Sequence, residues 1–191
     1  QTDLVVGSPV AGRTQPETMA LIGCFINNLA LRTRLNDEMT ANELLACVRE
    51  TTLNALAWQD VPFEAVVESV QPERALSQSP LFQVILNLDN TPEKTYRLSG
   101  LAVERIPADN GTAKLDLVIS LMEFSDGLRG SAEYNTDLFE TRTIERMMRH
   151  FERLLEGIVA NPDQPLGTLA LMDEAEHGAA LDVMRTIKQA L

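Results

Sequence analysis

Apolar positions along the chain recur with two different periods, and each period predicts an element. Leu44, Leu45, Val48, Thr52, Ala55 and Leu56 follow helical spacing, so they predict one buried helix face ending near Trp58. Thr40-Ala41-Asn42-Glu43 just ahead of them fits a capping box, in which hydroxyl and carboxylate satisfy free N–H groups reciprocally. Pro62 disfavours helical geometry in the residue before it and is well placed to open a shorter helix through Val70. A longer helix is predicted from Thr141 to Ala160. Its apolar stripe is Ile144, Met147, Met148, Phe151, Leu154, Leu155 and Ile158. Arg142, Arg146, Arg149 and Arg153 line the opposite side, with Glu145 placed to pair with Arg149.

Shorter apolar runs predict strands. They are Leu4 to Val6 ending at Gly7, Cys24 to Leu35, Phe82 to Leu88, Leu101 to Ile106, Leu115 to Phe124 and Leu128 to Tyr134. Asp126-Gly127 between the last two is a hairpin signal. A final strand, Leu166 to Met172, and a more polar helix, Asp173 to Leu191, complete the pattern. Strands mixed with long helices predict an α/β or α+β layered domain.

Composition narrows the class. With 191 residues and 45% apolar content, the chain holds enough apolar surface for a core and too much for a disordered segment. Sixteen Lys and Arg against 28 Asp and Glu give a net charge of −12, which argues against a general nucleic-acid binder. Cys24 and Cys47 are the only cysteines, so a disulfide scaffold is excluded; the two could pair but nothing requires it, and reduced, buried thiols are expected. No apolar run reaches the ~18 residues of a membrane span, and Gln1-Thr2-Asp3-Leu4 does not read as a secretory start. The −12 charge is consistent with a soluble cytoplasmic segment, the location expected. Gln1 in place of Met also points to a chain that does not begin where its gene does.

Most candidate chemistry is weak. Gly7 to Thr14 nearly matches a phosphate-cradling loop, and Asp89 after an apolar strand resembles a magnesium-side aspartate. Against this, Arg13 stands at the lysine position, Pro9 removes an N–H donor and Pro16 falls where a helix must start. A glycine-framed turn is the expectation. His150 and His177 have no H-E-x-x-H, no C-x-x-C and no evident partner, so neither reads as catalytic, and no metal site is expected. Ser131 after Gly130 lacks the nucleophile-elbow pattern, and Asn110-Gly111-Thr112 is read as a loop. The arginine stripe, interleaved with glutamates, reads as a solvated face. Gln59-Asp60-Val61-Pro62-Phe63-Glu64 and Arg74 to Leu81 read as capping and turn chemistry. Gln59 and Asp60 close one helix and start the next, Phe63 anchors in the core and Arg74 binds a carbonyl or carboxylate.

These residues also carry a resemblance. Ile22-Gly23-Cys24-Phe25-Ile26-Asn27-Asn28-Leu29-Ala30-Leu31-Arg32 resembles the IGxFVNTLxLR motif of nonribosomal peptide synthetase condensation domains. Gln59 to Glu64 resembles their QDxPFE motif, Arg74 to Leu81 their RDxSRNPL motif and Asp3 to Arg13 the preceding DIxVGTPxAGR stretch. Lys114 to Leu117, Glu133 to Phe139 and Leu154 to Leu171 resemble the rest in order and spacing. Asn28 replaces the usual Thr, Ala75 the usual Asp, and Gln78-Ser79 the usual Arg-Asn, which leaves the subtype open.

The resemblance implies a chloramphenicol-acetyltransferase-like lobe with a mixed sheet packed by long amphipathic helices. It implies amide-bond formation between carrier-bound aminoacyl or peptidyl thioesters, in a tunnel between two such lobes. That chemistry depends on an HHxxxDG motif, and the two histidines here are not adjacent. The expectation is therefore a partial domain over residues 1–165, the carboxy-terminal acceptor-side lobe, inactive alone. Residues 166–191 resemble the linker toward an adenylation domain. Implied partners are the amino-terminal lobe, peptidyl carrier proteins with their phosphopantetheine arms, and a downstream adenylation domain; no cofactor is bound directly. The alternative is a condensation-like module that docks a carrier protein or tailoring enzyme without chemistry. Tunnel or motif candidates are Asn27, Asn28, Gln59, Asp60, Phe63, Arg74, Asp116 and Glu133, and no residue here is expected to be catalytic. A missing lobe also predicts exposed apolar surface.

Overall fold

The computed structural model describes residues 2–71, 79–89, 100–101, 106, 111–124, 126–179 and 181–182. Arg74, most of the Leu101 to Ile106 run, Asn110 and most of the terminal helix lie outside the described residues.

The described strands are β1 (Asp3–Val10), β2 (Asn27–Arg34), β3 (Val84–Asp89), β4 (Leu117–Phe124) and β5 (Gly127–Tyr134). They form one sheet in the order β2-β1-β3-β4-β5. β1 runs parallel to β3 with Gly7 opposite Ile85, and β3 runs parallel to β4 with Val84 opposite Leu117. β4 and β5 form an antiparallel hairpin. The sheet is thus mixed, as expected of a layered α/β domain. The helices are α1 (Ala41–Ala57), α2 (Phe63–Val70) and α3 (Thr141–Ala160).

The capping box forms as predicted. Glu43 Oε2 accepts from the Thr40 N–H at 2.8 Å, and Thr40 Oγ1 accepts from the Glu43 N–H at 3.3 Å. The Thr40 N–H bond first, and a 3.0 Å bond donated by Thr40 Oγ1 to Glu43 Oε2 second, hold the Glu43 carboxyl below its ordinary range.

Four expectations are corrected. β1 continues through Gly7, Ser8 and Pro9 to Val10, so Gly7 lies inside extended strand and not at the expected glycine-framed turn. β2 begins at Asn27 rather than Cys24. Leu166–Thr168 is a 3-10 turn and not a strand, because Thr168 Oγ1 donates back to the Pro165 carbonyl at 2.7 Å. Gly127 is already the first residue of β5, opposite Phe124, so Asp126-Gly127 straddles the hairpin connection instead of filling it.

The chain divides into two compact units. One comprises residues 1–2, 34–49 and 140–191; the other comprises residues 3–33 and 50–139. In the first, the start of α1 is laced to the segment after α3. Asn42 N donates to the Pro162 carbonyl at 3.1 Å, Leu166 N to Met39 at 2.8 Å and Gly167 N to Asp37 at 3.0 Å. Ala41 and Ile144 are buried there. In the second, Leu29, Val67, Phe82 and Leu117 are buried. Cys24 and Cys47 are free thiols, Cys24 exposed and Cys47 half-buried, so neither is the buried thiol expected. Many large apolar side chains stay exposed, among them Met19, Ile22, Trp58, Leu88, Leu128 and Val159.

Candidate functional site

In the sheet-bearing unit, Asn27 opens β2 and its carboxamide is fully used. Nδ2 donates to the Gln59 carbonyl at 2.8 Å and to the Val61 carbonyl at 2.7 Å. Oδ1 accepts from the Phe63 N–H at 3.1 Å. The last bond matters for α2. Its N-cap residue is Pro62, which has no side-chain cap, so the free amide at the helix start is satisfied by Asn27 from a distant strand. Gln59 closes the end of α1, donating from Nε2 to the Leu56 carbonyl at 3.0 Å. Asp60 is exposed in the turn between them. Of the expected pair, only Gln59 therefore caps a helix; the start of α2 belongs to Asn27.

Phe63 then reaches the sheet. Its ring lies 5.2 Å from that of Phe82, tilted by 45°. Phe82 is only 2% exposed and covers Gly7 of β1. A Cβ added at Gly7 would sit 2.7 Å from ring carbons Cδ2 and Cζ of Phe82, so only glycine admits the ring. Phe82 is aimed there by a tight γ-turn. Leu81 has φ of 71°, and the Phe82 N–H donates to the Pro80 carbonyl at 2.9 Å. A leucine in that region costs conformational energy, which the burial of Phe82 offsets.

A second cluster fixes the loop before β2. Arg13 donates to the carbonyls of Thr18 and, at 3.2 Å, Gly23. Its guanidinium lies 4.3 Å from the Phe25 ring centroid. Gly12, with φ of 61°, brings its backbone close to the Phe25 carbonyl, where a Cβ would meet the carbonyl carbon at 2.9 Å. Arg13 is thus a loop staple and no phosphate ligand. At the sheet edge, Arg32 forms a paired hydrogen bond with Asp3 at 2.8 and 2.7 Å, which raises its already high pKa.

The remaining candidates lie elsewhere. Asn28 is half-buried in β2. Asp116 precedes β4, and its carbonyl accepts from Asn135 N at 3.1 Å. Glu133 is exposed on β5 opposite Val118, so it neighbours Asp116 at the open end of the hairpin. The structure thus brings Asn27, Gln59 and Phe63 together and leaves Asp116 and Glu133 apart from them, on the two sides of the hairpin end. Sequence reasoning missed Gly7, Leu81 and Phe82 as one unit. The only local signal was a glycine inside an otherwise good strand. Among the described residues, no group of three His, Cys, Asp or Glu side chains is placed to hold a metal ion.

The Asn27 junction therefore contains no nucleophile paired with a base. It is a scaffold joining two stretches of sequence that each carry a motif, Ile22 to Arg32 and Gln59 to Glu64. The condensation-domain family model matches residues 1–180, and the chain belongs to that family of nonribosomal peptide synthetase domains. It is 47% identical over 183 residues to one of the linear gramicidin synthase polypeptides of Brevibacillus parabrevis, covering 95% of this chain and 2% of that one. It is 40% identical over 185 residues to surfactin synthase subunit 1 of Bacillus subtilis (strain 168), covering 97% of this chain and 5% of that one. The chain thus spans only a few per cent of these relatives. Among solved structures, holo-AB3403, a four-domain nonribosomal peptide synthetase bound to AMP and glycine, matches with a TM-score of 0.81 at 26% identity. The match covers 93% of this chain and 15% of that one. The X-domain from teicoplanin biosynthesis matches with a TM-score of 0.80 at 29% identity, over 90% of this chain and 40% of that one. The mixed α/β fold is that of condensation-domain structures.

Proposed function

We propose that this chain is the carboxy-terminal, acceptor-side part of a condensation domain that forms amide bonds between carrier-bound thioesters. The observation that carries the reading is the family match over residues 1–180, joined to an order of motifs in which two meet at Asn27. In the reaction, the acceptor amine attacks the donor thioester carbonyl, a C–N bond forms, the C–S bond breaks and the thiol leaves with a proton. An HHxxxDG histidine in a companion amino-terminal lobe assists that proton transfer or positions the amine; this chain supplies a wall of the tunnel. Phosphopantetheine arms of peptidyl carrier proteins bring both substrates, and residues 166–191 lead toward an adenylation domain. Cytoplasmic location fits the absence of a membrane-crossing helix among the described residues. Exposed apolar side chains such as Ile22 and Leu88 fit a missing companion lobe.

The test is amide formation from carrier-bound donor and acceptor. The 191-residue chain alone is expected to give none, and addition of the amino-terminal lobe is expected to restore it. Product from the chain alone would overturn the reading. A second reading, a non-catalytic module that docks a carrier protein or tailoring enzyme, is favoured by the likeness to the X-domain, which has been solved in complex with OxyB. An intact HHxxxDG motif encoded upstream of Gln1 supports the enzyme; a degenerate one supports the docking module.

A further inference from the structure

Where α3 meets the segment beginning at Asp173, Glu176 Oε2 lies 3.0 Å from His150 Nε2 and Oε1 lies 3.6 Å from Arg149 Nη2. Arg153 Nη2 is 3.9 Å from Asp173 Oδ2. This α3 contact is static and internal to one unit, and Arg149 meets Glu176 there, not Glu145 as its spacing predicted. The sheet of the other unit offers a different surface, its edge at β5.

Among the described residues β5 is the last strand of the sheet. It pairs with β4 at eight successive positions, from Leu117–Tyr134 to Phe124–Gly127, without a bulge. Asn135 N donates to the Asp116 carbonyl directly opposite, which sets the phase of the ladder. Antiparallel partners exchange backbone bonds at alternate positions. Glu133, Ser131 and Arg129 therefore turn their backbone groups toward β4, and Ala132, Gly130 and Leu128 turn theirs outward. Gly127 to Ser131 are all exposed, Leu128 by 60%. Gly130 has no side chain, so its exposure is that of the backbone itself. β5 also contains no Pro and no Lys, the residues that commonly blunt a sheet edge.

We propose that this edge takes a second copy of the chain, β5 adding to β5 antiparallel about a twofold axis at Ser131. Such a join exchanges bonds only between residues whose backbone groups point outward, and this register sets Gly130 against Ala132 for them. It also sets Arg129 against Glu133 twice, once on each side of the axis, with all four side chains on one face. Both charge pairs fall at positions without backbone bonds, where facing side chains come closest and Cα atoms lie about 4.5 Å apart. Centring the join on Arg129 or on Glu133 instead opposes like charges. Within its own chain Arg129 pairs with Asp126 at 2.9 Å and lies 4.3 Å from the Phe124 ring centroid. Its side chain is still 64% exposed, so the guanidinium has donors to offer Glu133 of the second copy. The net charge of −12 on each copy opposes association, so the pair is weak and depends on concentration. The pairing does not depend on the function proposed above.

Sedimentation of the 191-residue chain is expected to show a monomer–dimer equilibrium. Arg129→Glu and Glu133→Arg each set like charges together twice, and each is expected to raise the dissociation constant about tenfold. The double variant restores opposite pairs and is expected to return the constant to within about threefold of the original. It keeps a carboxylate beside Asp126 within one copy, so its recovery reports the contact between copies. With Cys24→Ser and Cys47→Ser in place, Ser131→Cys is expected to cross-link as a disulfide dimer on mild oxidation, whereas Leu128→Cys, away from the axis, is expected not to. Unchanged unfolding midpoints report that the variants fold. A chain that stays monomeric at every concentration, reversals without effect or without rescue, or β5 amides protected only once the amino-terminal lobe is added would overturn the pairing.

Discussion

The two units hold their distant segments by opposite physical means. At the Asn27 junction, a neutral carboxamide and two aromatic rings join β1, β2 and α2, and no charge takes part. At the α3 contact, four ionisable side chains and an imidazole meet over a partly wet surface. Burial of neutral groups gives a contact indifferent to salt and pH. Contact between charges gives one that solution conditions adjust. The neutral junction sits where the family motifs cluster, which suits an element whose geometry must not vary.

Four substitutions probe this contrast. Phe82→Ala removes the buried ring over Gly7 and is expected to cost about 3–5 kcal/mol in urea unfolding, the largest effect. Gly7→Ala, which forces a methyl into the ring, is expected to cost about 1–3 kcal/mol, and the double variant less than the sum. Additive costs would show that the two residues do not share one contact. Asn27→Ala is next: it leaves two carbonyls and one amide without their partner and is expected to cost about 2 kcal/mol, unchanged by salt. A strong salt dependence would break the claim that this junction is neutral. The smallest change lies in the charged unit. Thr40→Ala is expected to cost about 1 kcal/mol through the lost cap. Because the folded Glu43 carboxyl lies below 4.5, its contribution is present above that pH and lost as pH falls through the folded value. The gap in unfolding midpoint between Thr40→Ala and the unmodified chain should therefore narrow from neutral to acid pH without closing, because only the hydroxyl–carboxylate bond titrates, whereas the bond from the Glu43 N–H to Thr40 Oγ1 does not.

Much of the helical architecture was legible locally. The repeat from Leu44 to Leu56 and the Thr40–Glu43 box gave α1, although the face expected to be buried leaves Leu45 and Val48 exposed, and the stripe from Ile144 to Ile158 gave α3 with the bounds observed. Strand ends were less legible. Gly7 and Pro9 are breaker signals, yet β1 runs through both, because one accommodates Phe82 and the other falls near the strand's end. The site was legible as separate motifs and not as an assembly. Asn27 meets Gln59 across 32 residues and Phe63 across 36, and no short-range period encodes such a pairing. His150 lacked a visible partner for the same reason, since Glu176 lies 26 residues on.

Pro9 in β1 has a mechanical meaning. It has no amide to donate, and β1 is registered against β3 at Gly7–Ile85, whereas β3 meets β4 at six successive pairs. The wedge of Phe82 seated on Gly7 sits at the very residue where β1 is registered against β3. One aromatic ring is thus a fastener at that join.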